Sequence, residues 1–370
     1  MQQDCLSAMR RCISIFMRTR LRAEFFGRVC AARRGIPSIT QARCASNLNP
    51  PNDSKPIGWL IVGLIKPTSL LVVGGTGFIG QHLVGAAKLK EWDVTSLSLH
   101  LPTDQCRIDG VNYQKVDLTD LAAVRANLNI NFDYVVNLGG YIDHTLFNNG
   151  GKRLIEQHFD ALQNLVEILP RKNLKRFVQI GSSDEYGNTL APQREDIRES
   201  PISPYSLGKL ASTHFLQMLH KTENFPAAIL RLFLTYGPGQ DDKRFLPQII
   251  KGCLHDLPFP TSSGEQLRDF CYVEDTVKAI FLALQSDASN GEIFNVASGI
   301  PITIRSLIER ICLIFGKGQP QFGSIPYRVG ENMALYASIK KINEVLGWTP
   351  QVSLDEGIKR TVESMRVADV

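Results

Sequence analysis

Within "SPISPYSLGKLASTHFL" (200–216), Tyr205 and Lys209 stand four residues apart, just after two prolines. Residues at i and i+4 share a helix face. An ammonium held beside a phenol favours the phenolate and lowers the phenol's pKa. A phenol tuned in this way can take or give a proton at a carbinol carbon while a hydride carrier works on the same carbon. Upstream, "QIGSSDEYG" (179–187) sets Ser182 and Ser183 at the end of an apolar run, where a hydroxyl could hydrogen-bond the reacting oxygen. Alone, Tyr-x-x-x-Lys also fits a surface helix pair. Its company in the chain decides between the two.

That company is "GGTGFIG" (74–80), which satisfies G-x-G-x-x-G from Gly75 and G-x-x-G-x-x-G from Gly74. It follows "LLVV" and opens a helical stretch, the context in which glycines allow a tight turn and close backbone approach to a pyrophosphate. A nicotinamide dinucleotide is therefore the expected hydride carrier. An acidic residue ~20 positions on would hold the adenosine ribose and favour NAD. The corresponding stretch, "SLSLHLP" (96–102), offers Ser98 and His100 instead, and no Arg for a 2′-phosphate. NAD is the expectation, with NADP left open.

These residues need a frame that brings them together. Short apolar runs at 69–75, 92–101, 132–140, 175–183 and 227–237 alternate with helical stretches, the first of them 77–89. Uninterrupted Val/Ile/Leu runs bounded by Gly indicate strands covered on both faces, hence a doubly wound parallel α/β sheet whose ligands sit beyond the strand carboxyl ends. After Pro238 the texture turns richer in Pro, Gly and charge, with helices expected at 303–316 and 339–348. A second, smaller α/β substrate-binding region on the C-terminal side follows. The expected division is a leader (1–66), a dinucleotide-binding domain (67–240, with a returning segment near 268–298) and a substrate domain (241–370).

Charge and cysteine usage narrow the class. Of 41 Lys and Arg, ten lie within residues 1–55, as do three of the 36 Asp and Glu. The rest of the chain carries 31 basic and 33 acidic groups, so the net charge of +5 gives no reason to expect a nucleic-acid partner. The leader is rich in Arg, Ser and Ala, the composition of an organellar presequence; sequence translated from an upstream start is the competing reading. The apolar stretch 57–65 falls short of the ~20 residues that a bilayer span needs. The eight cysteines form no CxxC pair and none sits at metal-ligand spacing with His. No metal and no membrane partner is expected, and the location is cytoplasmic, or an organellar matrix if the leader is a genuine presequence.

In order the chain shows "GGTGFIG", "VDLTD", "VVNLGG", "GSSDEYG", "YSLGK", "LRLFLTYGPG", "LRDFCYVED" and "GWTPQVSLDEGI". As a set these resemble the NAD-dependent epimerase/dehydratase family of the extended short-chain dehydrogenase/reductase superfamily, over essentially all of 68–366. The resemblance implies a Rossmann-type fold and a nucleoside-diphosphate sugar as substrate. It implies that Gly74, Gly77, Phe78, Ile79 and Gly80 cradle the pyrophosphate and that Asp117 and Leu118 flank the adenine. Leu138, Gly139 and Phe233 fall at further cofactor positions. Tyr205 is the implied general acid or base, Lys209 holds the nicotinamide ribose, and Ser183 or its neighbour Ser182 polarises the substrate oxygen. Arg268 and Arg328 resemble the arginines that clamp the sugar-nucleotide phosphates. The family's Asn in "RxxNxYGP" is Leu234 here.

The reaction turns on "SSDEYG". Asp184 and Glu185 resemble the acid and base of 4,6-dehydratases, but the stretch is one residue shorter before Tyr-Gly than the dehydratase form. Redox chemistry at C4, as epimerase or 4-ketoreductase, is accordingly placed ahead of 4,6-dehydration. A non-catalytic dinucleotide-binding regulator or assembly subunit is the rival of another class, and the survival of Tyr205, Lys209 and Arg268 argues against it. His144 is expected to be an ordinary loop histidine bordering the site. The superfamily's usual pairing of helices implies a homodimer.

Overall fold

The computed structural model describes residues 66–128, 130–327 and 330–368. The leader, Lys66 apart, and Arg328 lie outside the described residues. Strand β1 (Ser69–Val73) is apolar and wholly buried, and the glycine turn after it opens helix α1 (Phe78–Leu89). Then come β2 (Asp93–Ser98), β3 (Val111–Lys115), α2 (Leu121–Asn127) and β4 (Tyr134–Asn137). The next helical segment is α3 (Lys152–Ile155), a π-helical turn (Glu156–Asp160) and α4 (Ala161–Ile168), followed by β5 (Arg176–Ser182), α5 (Pro204–Glu223) and β6 (Ala227–Leu232).

Beyond these lie β7 (Leu234–Tyr236), α6 (Phe245–Leu254), β8 (Pro258–Thr261), β9 (Leu267–Tyr272), α7 (Val273–Gln285) and β10 (Ile293–Val296). The last elements are β11 (Pro301–Thr303), α8 (Ile304–Phe315), β12 (Gln319–Phe322), β13 (Ala334–Leu335), α9 (Lys340–Leu346) and α10 (Leu354–Ala368).

Seven strands form one parallel sheet in the order β10-β6-β5-β4-β1-β2-β3. Period-2 alternation sends Leu70 and Val72 to one face, with α1 (Leu83, Val84) and α7 (Ile280, Leu284). Leu71 and Val73 go to the other face, with α2 (Val124), α4 (Leu162, Leu165) and α5 (Leu216, Leu219). The sheet is doubly wound, as the alternating runs require. Strand order reverses between β1 and β4, and the crevice at such a switch point, outside the carboxyl ends, is where ligands bind.

The apolar run 227–237 divides at Phe233. Its first half is β6 of the large sheet; its second half, β7, pairs with β9 in a small mixed sheet that also contains β11 and β13. A third core, built from α6, α8 and α10 around Tyr236 and Tyr272, backs these strands. Two buried carboxylates set the connections. Asp269 accepts from the backbone N–H groups of Ser298, Gly299 and Ala337. Asp275 accepts from those of Gln351 and Val352. Among the described residues no helix is long and apolar enough to cross a membrane.

Candidate active site

The glycine turn packs against the end of β4. Gly74 has φ +77°, and a Cβ there would lie 3.2 Å from the Leu138 carbonyl carbon. A Cβ on Gly80 would lie 2.2 Å from the Gly74 oxygen, so no side chain fits between turn and helix. The Thr76 N–H donates to Ser98 Oγ at 3.3 Å, which gives Ser98 a place in the turn where an acidic residue was sought. In the first turn of α1 the N–H groups of Phe78, Ile79 and Gly80 have no intrahelical acceptor, the arrangement that receives phosphate oxygens. Asp117 and Leu118 follow β3 on the same edge of the sheet, and Asp117 Oδ1 is tied to the Thr119 N–H at 2.9 Å. Phe233 packs with Tyr186, Ala297 and Ala337.

Helix α5 begins where its sequence dictates. Ser203 caps it through a hydrogen bond from the Ser206 N–H at 3.1 Å, and Pro204 supplies the first helical φ. Tyr205 and Lys209 therefore fall on successive turns of one buried face, 3 % and 5 % exposed. Both meet β5: Lys209 Nζ donates to the Ile180 carbonyl at 3.0 Å, and the Tyr205 phenol faces Ser182, whose side chain favours the phenolate. Of the two serines, Ser182 is the one that acts on the phenol.

Electrostatics here depart from the sequence expectation. Burial pushes the Tyr205 phenol up, reinforced by the Asp184 carboxylate, against the opposing influence of the Ser182 side chain and the charge of Arg244. Lys209 is itself lowered to about 8, because burial outweighs the attraction of Glu185. Desolvation is the largest influence on both groups in the protein alone.

Glu185 occupies a place that sequence reading did not foresee. Fully buried, it accepts from the Ser182 N–H at 2.8 Å, from Thr213 Oγ1 at 2.9 Å and from Arg231 Nε at 2.8 Å. Arg231 also donates to Glu199 at 2.6 Å and lies 4.6 Å over the Tyr186 ring. Both carboxylate oxygens are engaged in holding the β5 turn against α5 and β6. Asp184 is the more open of the pair, its Oδ2 lying 3.8 Å from His144 Nε2.

The rings of His144 and His158 stand edge-on to Tyr205, at 5.9 and 5.0 Å between centroids. Arg268 sits in β9, where it pairs with Glu331 and donates to the Leu267 carbonyl at 2.8 Å. Residues missed from sequence are Arg231, His158 and Arg244. The lone Arg in "AAILRLFL" was the one available signal, since an arginine inside a buried strand needs partners.

The model of the NAD dependent epimerase/dehydratase family matches residues 70–297. A dTDP-glucose 4,6-dehydratase of Haemophilus influenzae is 26 % identical over 331 residues, covering 80 % of this chain and 97 % of that protein. A UDP-glucose 4-epimerase of Thermotoga maritima, solved with UDP-glucose, superposes with a TM-score of 0.76 at 26 % identity over 81 % of this chain and 99 % of its own. A Thermus thermophilus UDP-glucose 4-epimerase solved with NAD gives 0.72 at 26 % identity, over the same shares.

Proposed function

The chain belongs to the NAD dependent epimerase/dehydratase family, and from that premise we propose that it performs redox chemistry at C4 of a nucleoside-diphosphate sugar, as epimerase or 4-ketoreductase. The observation that carries the reading is the convergence of Ser182, Tyr205 and Lys209 at the carboxyl end of β5. The glycine cradle beside it is too close-packed for any side chain.

The residues present fit NAD. In this reading Gly74, Gly77, Phe78, Ile79 and Gly80 receive its pyrophosphate, Asp117 and Leu118 its adenosine end, and Lys209 its nicotinamide ribose. Bound and oxidised, NAD would supply the hydride acceptor. Tyr205 would take the proton from the C4 hydroxyl and return it in the reverse direction. Ser182 hydrogen-bonds the same oxygen, and Ser183 lines the turn next to it. Arg268, with Arg328, is assigned to the substrate phosphates.

The enclosure of Glu185 supports ranking dehydration second. Its two oxygens already serve Ser182, Thr213 and Arg231 in holding the turn after β5. Residues 67–240 with the return near 268–298 are assigned to cofactor, and 241–370 to substrate. A homodimer is assigned to the outer face of α5, where Leu207 and Met218 are 46 % and 44 % exposed. The cytoplasm is the assigned compartment, or an organellar matrix if the leader directs import.

The test is incubation with a panel of UDP-, dTDP-, GDP- and CDP-sugars, with products read by NMR and mass spectrometry. A C4 epimer or a reduced 4-keto sugar supports the proposal. A product that has lost water replaces it with dehydration, and no turnover by cofactor-bound protein overturns it.

A further inference from the structure

Helices α6 and α8 meet in the third core. Leu246, Ile249 and Ile250 on α6 pack there with Leu307, Ile308 and Ile311 on α8, the three- and four-residue spacing of a helix stripe. Near its C-terminal end each helix adds a cysteine to this contact, Cys253 and Cys312. Their sulfurs lie 3.5 Å apart, although 59 positions separate them in the chain.

After α8 the chain folds back over both sulfurs. Gly316 caps the helix in the left-handed conformation, φ +64°. Gly318, φ +131°, then lies against the two thiols: an added Cβ would be 2.7 Å from Cys253 Sγ and 2.8 Å from Cys312 Sγ. Only a residue without a side chain leaves both sulfurs in place there. Two bonds pin the return. Lys317 Nζ donates to the Leu254 carbonyl at 2.7 Å, and the Gly318 N–H donates to Asp256 Oδ1 at 3.2 Å.

The thiols differ in access. Cys253 is fully buried, and burial, with Cys312 and the Asp256 carboxylate, pushes its thiol up to about 12. Cys312 is half-buried and precedes Leu313, which is 82 % exposed. Oxidation follows thiolate character and exposure, so a reagent meets Cys312 first and Cys253 responds from within.

We propose that Cys253 and Cys312 are a reversible thiol–disulfide pair, oxidised by a hydroperoxide and returned to thiols by a dithiol reductant. The Cys312 thiolate attacks the peroxide; an S–O bond forms, the O–O bond breaks, and the departing oxygen takes up the proton that Cys312 released. Cys312 is then a sulfenic acid. The Cys253 sulfur attacks it, the S–S bond forms, the S–O bond breaks, and the hydroxyl leaves as water with the Cys253 proton. The two sulfurs together lose two electrons and the peroxide gains them. From 3.5 Å the sulfurs must close by about 1.5 Å, the order of movement that rotation about the two Cα–Cβ bonds gives. The bridge ties α6 to α8 within the region assigned to substrate. Neither sulfur belongs to the site of Ser182, Tyr205 and Lys209, so the inference does not depend on the C4 reading.

The test exposes the full chain to a small excess of hydrogen peroxide, blocks remaining thiols with iodoacetamide in denaturant, and maps the peptides by mass spectrometry. The expected product is one peptide pair joined through Cys253 and Cys312, lighter by two hydrogens and separated by dithiothreitol. The joined form should melt ~5 °C above the reduced form, a rise absent from Cys253→Ser. Cys253→Ser should also leave a sulfenic acid at Cys312 that dimedone traps, whereas Cys312→Ser should leave Cys253 unmodified at the same dose. Separate alkylated Cys253 and Cys312 peptides from the wild type, a sulfinic acid at Cys312 in place of the bridge, or a bridge from either residue to another cysteine overturns the proposal. Should a serine variant fail to fold, the wild-type map alone decides. Absence of sugar turnover with the bridge formed counts against the C4 function and leaves this inference standing.

Discussion

Glu185→Gln distinguishes a structural carboxylate from a catalytic one. In place, Glu185 Oε1 receives the Ser182 N–H, and Oε2 receives Thr213 and the buried Arg231. Glutamine matches it in shape but has a single oxygen. With that oxygen toward Ser182, its NH2 faces Arg231 Nε–H; flipped, its NH2 faces the Ser182 N–H. Either way two donors confront each other. Removing one partner of a buried ion pair costs ~3–5 kcal/mol, and the surviving Arg231–Glu199 bond argues for the lower end, about 3 kcal/mol. At about 2 °C per kcal/mol for a domain of this size, Tm falls by ~6 °C. Calorimetry without ligands measures that fall, and kcat measured well below the transition should stay within about tenfold, as for a residue that does not itself move the proton. An acid or base in the reaction would behave inversely, losing ~10²–10⁴ in rate with its melt unmoved. That inverse result would refute the reasoning. Pairing Glu185→Leu with Arg231→Met should cost less than the two single changes summed, because each single change strands a charge.

Other outcomes follow from the same geometry. Tyr205→Phe should lower kcat by ~10²–10⁴ with NADH binding, followed by its fluorescence, retained; full activity would contradict the assigned role. Gly80→Ala should weaken NADH binding at least about tenfold, because its Cβ meets the Gly74 oxygen at 2.2 Å and the turn must open to admit it; unchanged affinity would contradict the cradle. Burial lowers the Lys209 ammonium to about 8 in the fold, against 10.5 ordinarily. Its ammonium is therefore penalised at neutral pH, and the penalty fades as pH rises from about 8 to 10.5. Lys209→Met should accordingly melt higher than wild type at neutral pH, by up to ~3 kcal/mol, while losing activity; a lower melt would contradict the burial cost. In the wild type, kcat/KM should fall as pH rises through that same value, and a flat profile there would show that the ammonium is not needed. Burial and the adjacent Cys312, 3.5 Å away, push the Cys253 thiol up to about 12, so native protein should resist maleimide at Cys253 until unfolded.

The sequence was informative wherever a local pattern carries its own physics. The glycine turn, the apolar strands and the capped start of α5 announce themselves through backbone freedom, period-2 burial and the Ser203-Pro204 pair. The pattern failed where the outcome depends on which atoms become neighbours. "SSDEYG" names two carboxylates without saying that one is enclosed by Arg231, more than forty residues on. The split of 227–237 at Phe233 between two sheets has no compositional mark. Nothing in "IEQHF" signals a π-helical turn, since its residues are compatible with an ordinary helix. The depressed Tyr205 expected from Lys209 gave way to burial, a quantity that spacing alone does not contain.

The central claim is hydride transfer at C4 with Tyr205 handling the proton. It is tested most directly by a single turnover of NAD-loaded protein on a nucleotide sugar deuterated at C4. The account predicts a transient reduced-nicotinamide absorbance, slowed by the label and abolished in Tyr205→Phe, with deuterium recovered at C4 of the product or on the nicotinamide. Product formed with no such transient, no slowing and no label on either carbon would contradict it.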